Sequence, residues 1–299
     1  MKPVAFLLLA LLTSIICCSP KTSTPKTSSI KDNQRVVSIG GAVTEAIYEL
    51  GAQSHLVGID TTSTYPQTTS TIAKVGYQRT LSAESIASLK PDIIIATTDA
   101  GPPSAIAQLQ TIGIEIVILD ATPTVEIAKN RIKKLATLFN KEQTGELIIS
   151  RLDNQLRQAV SYTQKQQTKP KVLFLYSRAQ ASAMVSGIST SADEMIRLSG
   201  GQNVITGYEG YKPITAEAVV AAAPEVILLP ENSLKSIGGI DQLLKLPGIN
   251  QTPAGQNRKI ITMEDLKLLG FTPRLGDAVC ELAKLLHQQD AIVEVEAKR

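Results

Sequence analysis

One phrase occurs twice in this chain of 299 residues. Residues 83–95 read Ala-Glu-Ser-Ile-Ala-Ser-Leu-Lys-Pro-Asp-Ile-Ile-Ile, and residues 216–228 read Ala-Glu-Ala-Val-Val-Ala-Ala-Ala-Pro-Glu-Val-Ile-Leu. Each copy predicts a short helix opened by a glutamate, a proline stop, an acidic residue and a β-branched strand. The copies start 133 residues apart, too far for a solenoid repeat. Two similar α/β lobes, each with one copy at an equivalent place, fit that spacing. A cleft between two lobes is a common place for a ligand. Glu84 and Glu217 then sit in matching positions, which asks for a partner able to touch both lobes at once.

The surrounding pattern supports the two lobes. In the first, short apolar strands are predicted over 35–39, 56–59, 93–96 and 115–119, with helices over 44–50 and 104–112 and in the Glu84 phrase. Gly51 supplies a helix stop. The second lobe repeats the scheme, with strands over 171–176, 226–229 and 260–263 and helices over 190–198, 240–245 and 275–287. Alternating β and α elements predict parallel sheets flanked by helices in both lobes. Between them, 125–166 carries no strand signal, and Leu147, Ile148, Leu152, Leu156 and Val160 recur at helical spacing. A rigid helix there, about 34 Å long at ~1.5 Å per residue over 142–164, predicts modest closure on a ligand. The expected architecture is two Rossmann-like lobes joined by one long backbone helix, with the N-terminal lobe over 34–123, the connecting helical region over 124–168 and the C-terminal lobe over 169–299.

The start of the chain reads as a targeting segment. Lys2 precedes an apolar run over 4–16, shorter than the ~18 residues that span a bilayer. The run ends at Cys17-Cys18, so 1–18 reads as a bacterial lipoprotein signal with Cys18 lipidated, or alternatively Cys17. A Ser/Thr/Lys/Pro-rich stretch over 19–33 has too little apolar surface to fold and reads as a tether. Lipid, tether and folded body describe an exported protein held at a bacterial membrane surface. The third cysteine, Cys280, reads as a core thiol. A formal charge of +3 argues against nucleic acid as a partner.

From residue 34 to 288 the chain resembles the helical-backbone class of periplasmic binding proteins, which deliver cobalamin, siderophores or haem to ABC importers. The resemblance rests on 35–39 with Thr44-Glu45, on Tyr65-Pro66, on the two Glu…Pro phrases and on Phe271-Thr-Pro-Arg274. The phrase Val75-Gly-Tyr-Gln-Arg-Thr-Leu-Ser-Ala-Glu84 is most similar to the haem-binding branch. That resemblance implies haem as the transported ligand, Tyr77 as its axial iron ligand, and an ABC permease dimer with its ATPase as partner of a monomeric carrier. Phenolate is a hard anionic donor suited to ferric iron. A free tyrosine titrates near ~10, so a nearby cation must favour the phenolate. Arg79, two residues on in an extended segment, is the expected helper.

Further residues follow from the resemblance. The 176–187 stretch holds no histidine, so one protein ligand is expected, with Tyr176, Arg178 and Met184 lining the other face. Thioether is a soft donor, so Met184 is read as packing. Arg274 and Arg178 are open to propionates or to structural ion pairs. Tyr208 and Tyr211, flanking Gly210, form either a porphyrin lip or loop packing. Glu84 and Glu217 are expected to dock into the permease.

Other functions find little support. Two histidines, His55 and His287, 232 positions apart, assemble neither a nucleophilic triad nor a zinc or manganese site. His287, near a polar tail, reads as exposed. Ferric siderophore or cobalamin is the alternative cargo, although the chain lacks the tryptophans that cobalamin pockets of this class favour.

Overall fold

The computed structural model describes residues 29–178 and 183–288. The first lobe is built on strands β1 (Val36–Ile39), β2 (Leu56–Ile59), β3 (Ile93–Thr97) and β4 (Glu115–Leu119). All pair in parallel, in the order β2-β1-β3-β4. Parallel neighbours need crossovers, and helices Gly41–Glu49, Ala83–Ala87 and Pro103–Thr111 provide them. Period-two alternation sorts the strand residues into two layers. Val36, Ile93 and Ile95 face one core, and Val37, Ile39, Ile94 and Ala96 face the other.

The second lobe uses β5 (Lys171–Tyr176), β6 (Met184–Ser186), β7 (Gln202–Asn203), β8 (Tyr211–Pro213), β9 (Val226–Pro230) and β10 (Ile260–Met263). Its sheet is mixed, which corrects the expected all-parallel form. β10, β9, β5 and β7 are parallel neighbours, whereas β6 pairs antiparallel with β5 and β8 pairs antiparallel with β6. The connection from Tyr176 to Met184 is too short for a crossover helix, so β6 can only return antiparallel.

Helices Val125–Leu138 and Glu142–Thr163 join the lobes. Thr124 caps the first by accepting from the Ile127 N–H. The two cross closely because Gly145 has no side chain: a Cβ there would lie 2.5 Å from that of Ala136. The 22-residue backbone helix runs about 33 Å at ~1.5 Å per residue and buries Gly145, Ile148, Leu152 and Ala159. Leu147 and Val160, counted in the apolar stripe, are instead exposed, since they flank that face. Helix Leu275–His287 lies along it, with Gly276 against Leu152 and Gln155. The Cys280 thiol donates to the Gln155 carbonyl at 3.1 Å. One apolar cluster therefore runs from Val36 and Ile95 through Ile132 and Leu152 to Phe174 and Leu282. The lobes share a core through the connecting helices, which resists wide hinge motion.

The expected tether ends before residue 33. Ile30 is 4% exposed in the main core, and its N–H donates to the Leu138 carbonyl at 2.7 Å. Its isolated apolar side chain carried no periodic signal. Cys17, Cys18 and residues 19–28 lie outside the described residues.

Candidate ligand-binding cleft

Open parallel sheets bind ligands beyond the carboxyl ends of their strands, where the strand order reverses. In the first lobe that point lies between β1 and β3. The Gly40-Gly41 turn leaves β1 there, and a Cβ on Gly40 would sit 3.3 Å from Thr97 and 3.5 Å from Gln78. Asp60, fully buried, braces this floor by accepting from the Gly40 N–H and from the Thr62 and Ser63 hydroxyls. In the second lobe the carboxyl end of β5 presents Tyr176 and Arg178.

The backbone holds Tyr77 in place over this floor. Gly76 accepts from the Thr61 N–H, Tyr77 from Thr80, and Gln78 from Gly101, while the Leu81 N–H donates to Gly101. Three of these bonds strap 76–81 to the loops after β2 and β3, and the fourth closes a turn within it. Across the cleft, the Arg178 guanidinium carbon lies 4.4 Å from the centroid of the Tyr77 ring. A cation over an aromatic face contributes about 0.5–2 kcal/mol, depending on desolvation. The two lobes therefore meet at Tyr77 and Arg178.

Arg79 behaves otherwise than expected. Gln78 and Arg79 are the central residues of the turn closed by the Thr80 N–H and Tyr77 carbonyl, so the alternation of an extended segment does not hold. Its guanidinium pairs with Asp99 at 3.2 Å, with side chains 59% and 45% exposed. The cation at Tyr77 comes from the second lobe.

Tyr176, Met184 and Tyr211 gather beside this point. Tyr176 pairs with Met184 across β5 and β6, which puts both side chains on one face. The Tyr211 ring lies tilted against Tyr176 at 6.2 Å and edge-on to Phe174 at 6.3 Å. Burial pushes the Tyr176 phenol above its ordinary pKa against the opposing charge of Arg178. Burial raises Tyr211 as well, opposed by hydrogen bonds with Ser186 and Thr190. Tyr208 is set apart from them. Its hydroxyl donates to the Val185 carbonyl at 3.2 Å and its ring packs on Gly187 within the second lobe.

Arg274 is likewise committed elsewhere. Its guanidinium donates to both Glu45 oxygens at 3.0 and 2.9 Å and to Glu264 at 3.1 Å, and it lies 3.7 Å from the Tyr65 ring centroid. The side chains are 16% and 0% exposed for Arg274 and Glu45. Burial raises the Glu45 carboxyl pKa, with Arg274 opposing it. A propionate would have to displace two carboxylates, so of the two open possibilities Arg274 takes the ion pair. Sequence reasoning quoted both ends, Thr44-Glu45 and the Phe271 phrase, without joining them; opposite charges on separated motifs give no distance. It also missed Arg131, which donates to the Phe271 and Asp120 carbonyls at 2.6 and 3.1 Å and whose pKa burial lowers to about 10.

Glu84 and Glu217 occupy equivalent places, each exposed in the first turn of its helix after a Ser82 or Thr215 cap. His287 is not the exposed residue expected: its Nε2 is buried and its ring meets Tyr162 edge-on at 6.1 Å. Among the described residues, no cluster of three or more His, Cys, Asp or Glu is arranged to hold a metal ion, and no helix is long and apolar enough to cross a membrane.

Residues 36–266 match the periplasmic binding protein family. The chain belongs to that family. It is thus a binding protein of the ABC-importer class, whose relatives bind and carry ligands. Among solved structures, it is similar to the periplasmic heme-binding protein RhuT from Roseiflexus sp. RS-1 in apo form, at 37% identity and a TM-score of 0.81, covering 85% of this chain and 97% of that one. It is similar to the periplasmic heme-binding protein BhuT in complex with two hemes, at 39% identity, a TM-score of 0.80 and the same coverage. A curated relative, the vitamin B12-binding protein of Vibrio campbellii, is 25% identical over 206 residues, 69% of this chain and 74% of its own.

Proposed function

We propose that this protein captures haem between its lobes through a Tyr77 phenolate–iron bond and delivers it to an ABC permease. The observation that carries the reading is the strapped Tyr77 at the carboxyl edge of one sheet, overhung by Arg178 from the other lobe. A ligand held there touches both lobes. Tyr176, Met184 and Tyr211 offer a largely apolar wall for a porphyrin face. Arg178 and Arg79, both exposed at the mouth, are the cations for propionates. The heme-binding solved structures, above one-third identity, support this cargo. Haem is bound without covalent change or turnover.

Glu84 and Glu217 engage the two permease subunits, and docking strains the lobes apart to loosen Tyr77 from iron. The N-terminal segment, with lipid on Cys18 or Cys17, tethers a monomeric carrier to the membrane surface outside the cytoplasm. Reversing the charge at both glutamates should abolish haem uptake while leaving haem binding intact; unchanged uptake would remove the docking role.

The test of the cargo is a haem titration of wild type and Tyr77→Phe followed by absorption. Saturable binding with a high-spin ferric tyrosinate spectrum, lost in the variant, is the expected result. A variant that keeps the spectrum overturns Tyr77 as ligand. Cobalamin is the second reading, favoured by the vitamin B12-binding relatives. Saturable cobalamin binding without haem binding would establish it.

A further inference from the structure

We infer that residues 264–274 of the second lobe form a fixed fulcrum. It pins the lobes along the edge beside the connecting helices, so that cleft motion is a rotation about that edge. Three independent contacts come from this one short stretch. Arg274 forks onto Glu45 in the first-lobe helix Gly41–Glu49, supported by Glu264 and the Tyr65 ring. Arg131, from the connecting helix, holds the Phe271 carbonyl at 2.6 Å. Leu266 lies against Gly41 so closely that a Cβ there would sit 2.6 Å from its Cδ1.

The chemistry of these contacts resists sliding. A buried ion pair offsets its desolvation only with good geometry, so a small displacement of the lobes forfeits the attraction while the burial cost stays. A planar guanidinium on both carboxylate oxygens fixes orientation as well as distance. Gly41 adds a steric stop, because the backbone of one lobe touches a side chain of the other. At the mouth, by contrast, the contact is Arg178 over Tyr77, with Arg178 itself exposed. A stacked cation leaves its ring with little geometric penalty. The edge therefore holds while the mouth yields. Glu45 and Arg274 are positioning residues: they touch no cargo and act through the spacing of Tyr77 and Arg178.

The test needs no ligand, so it stands apart from the identity of the cargo. Spin labels are placed at Ser88 and Ala221, exposed on or beside the Glu84 and Glu217 helices, by a chemistry that spares cysteine. Pulsed dipolar spectroscopy on the full chain then reads the interlobe distance. Wild type should give one narrow distribution. Glu45→Gln with Arg274→Met removes both charges together and should broaden it to about twice its width, as an ensemble released from one minimum does. Arg274→Lys keeps the charge but loses the fork, and should broaden it less. Arg258→Ala, which removes an exposed pair with Asp241 within the second lobe, should leave it unchanged. Circular dichroism checks that each variant is folded; if the double variant is not, Arg274→Lys carries the test. A folded fulcrum variant with the wild-type distribution overturns the inference.

Discussion

Replacing Arg274 with methionine isolates the energetics of the pair between the lobes. Methionine keeps most of the volume and removes the one cation hydrogen-bonded to Glu45 among the described residues, a glutamate whose side chain is fully buried. The stranded carboxylate escapes by taking a proton. At pH 7, protonating a carboxyl of ordinary pKa 4.5 costs about 3.4 kcal/mol, at ~1.36 kcal/mol per pH unit. That bounds the ionisation penalty, and losses near 3–5 kcal/mol on breaking buried pairs agree with it. The expected destabilisation is therefore up to about 3 kcal/mol at pH 7, less the penalty that the raised wild-type carboxyl already carries, or up to roughly 10 °C in melting temperature for a chain of this size. The sign with pH follows from the direction of the shift. Burial already raises Glu45 in the wild type, and removing Arg274 raises it further. A raised carboxyl keeps its proton in the native state, so the variant's deficit against wild type opens as pH rises through the wild-type native pKa, itself above 4.5, and closes on acidification. At pH 5 the deficit should fall below about 0.7 kcal/mol. Urea unfolding at both values measures it. An equal deficit at pH 5 and pH 7 would refute the stranded-carboxylate argument and leave lost packing as the cause.

Three further outcomes are expected. Arg178→Ala should weaken haem binding and alter the iron–tyrosinate spectrum, whereas Arg79→Ala should change affinity by at most about 1 kcal/mol, as for other exposed pairs; the reverse order in titrations would return Arg79 to the phenolate. Burial, aided by Lys259, lowers the His287 pKa, so its contribution to stability is complete above about 6.5 and is lost as pH falls through the depressed native value. His287→Gln should flatten that part of the stability–pH profile, and an unchanged slope in thermal melts would disprove it. Gly276→Leu should destabilise the protein by several kcal/mol, because its Cβ would already lie 2.7 Å from Gln155 and 2.9 Å from the Leu152 carbonyl. A melting temperature within a degree of wild type would contradict that close helix crossing.

Much of the first lobe was legible because its strands are short apolar runs bounded by strong stops. The 56–59 and 115–119 strands coincide with the observed ones, as does the final helix 275–287. The second lobe was less so. β6, β7 and β8 hold two or three residues each, too few for any period to register, and they turn a parallel sheet into a mixed one. The site divides the same way. Tyr77 stood out through its phrase, and Glu84 and Glu217 through repetition. Arg79 misled because a two-residue spacing implies a shared side only in extended chain, and the Gln78-Arg79 turn breaks it.

By itself the sequence determined the two-lobed α/β plan, the helical connection and the tyrosine of the cleft. Each is written in local pattern: periodicity, punctuation by Gly and Pro, and a motif of adjacent residues. Tertiary structure alone decided which arginine serves which partner. Arg178 meets Tyr77 from the opposite lobe, Arg79 turns to Asp99, and Arg274 closes on Glu45, 229 positions away. A guanidinium can satisfy any carboxylate or aromatic face it reaches. Its choice is a matter of distance and burial, and those exist only once the chain has folded.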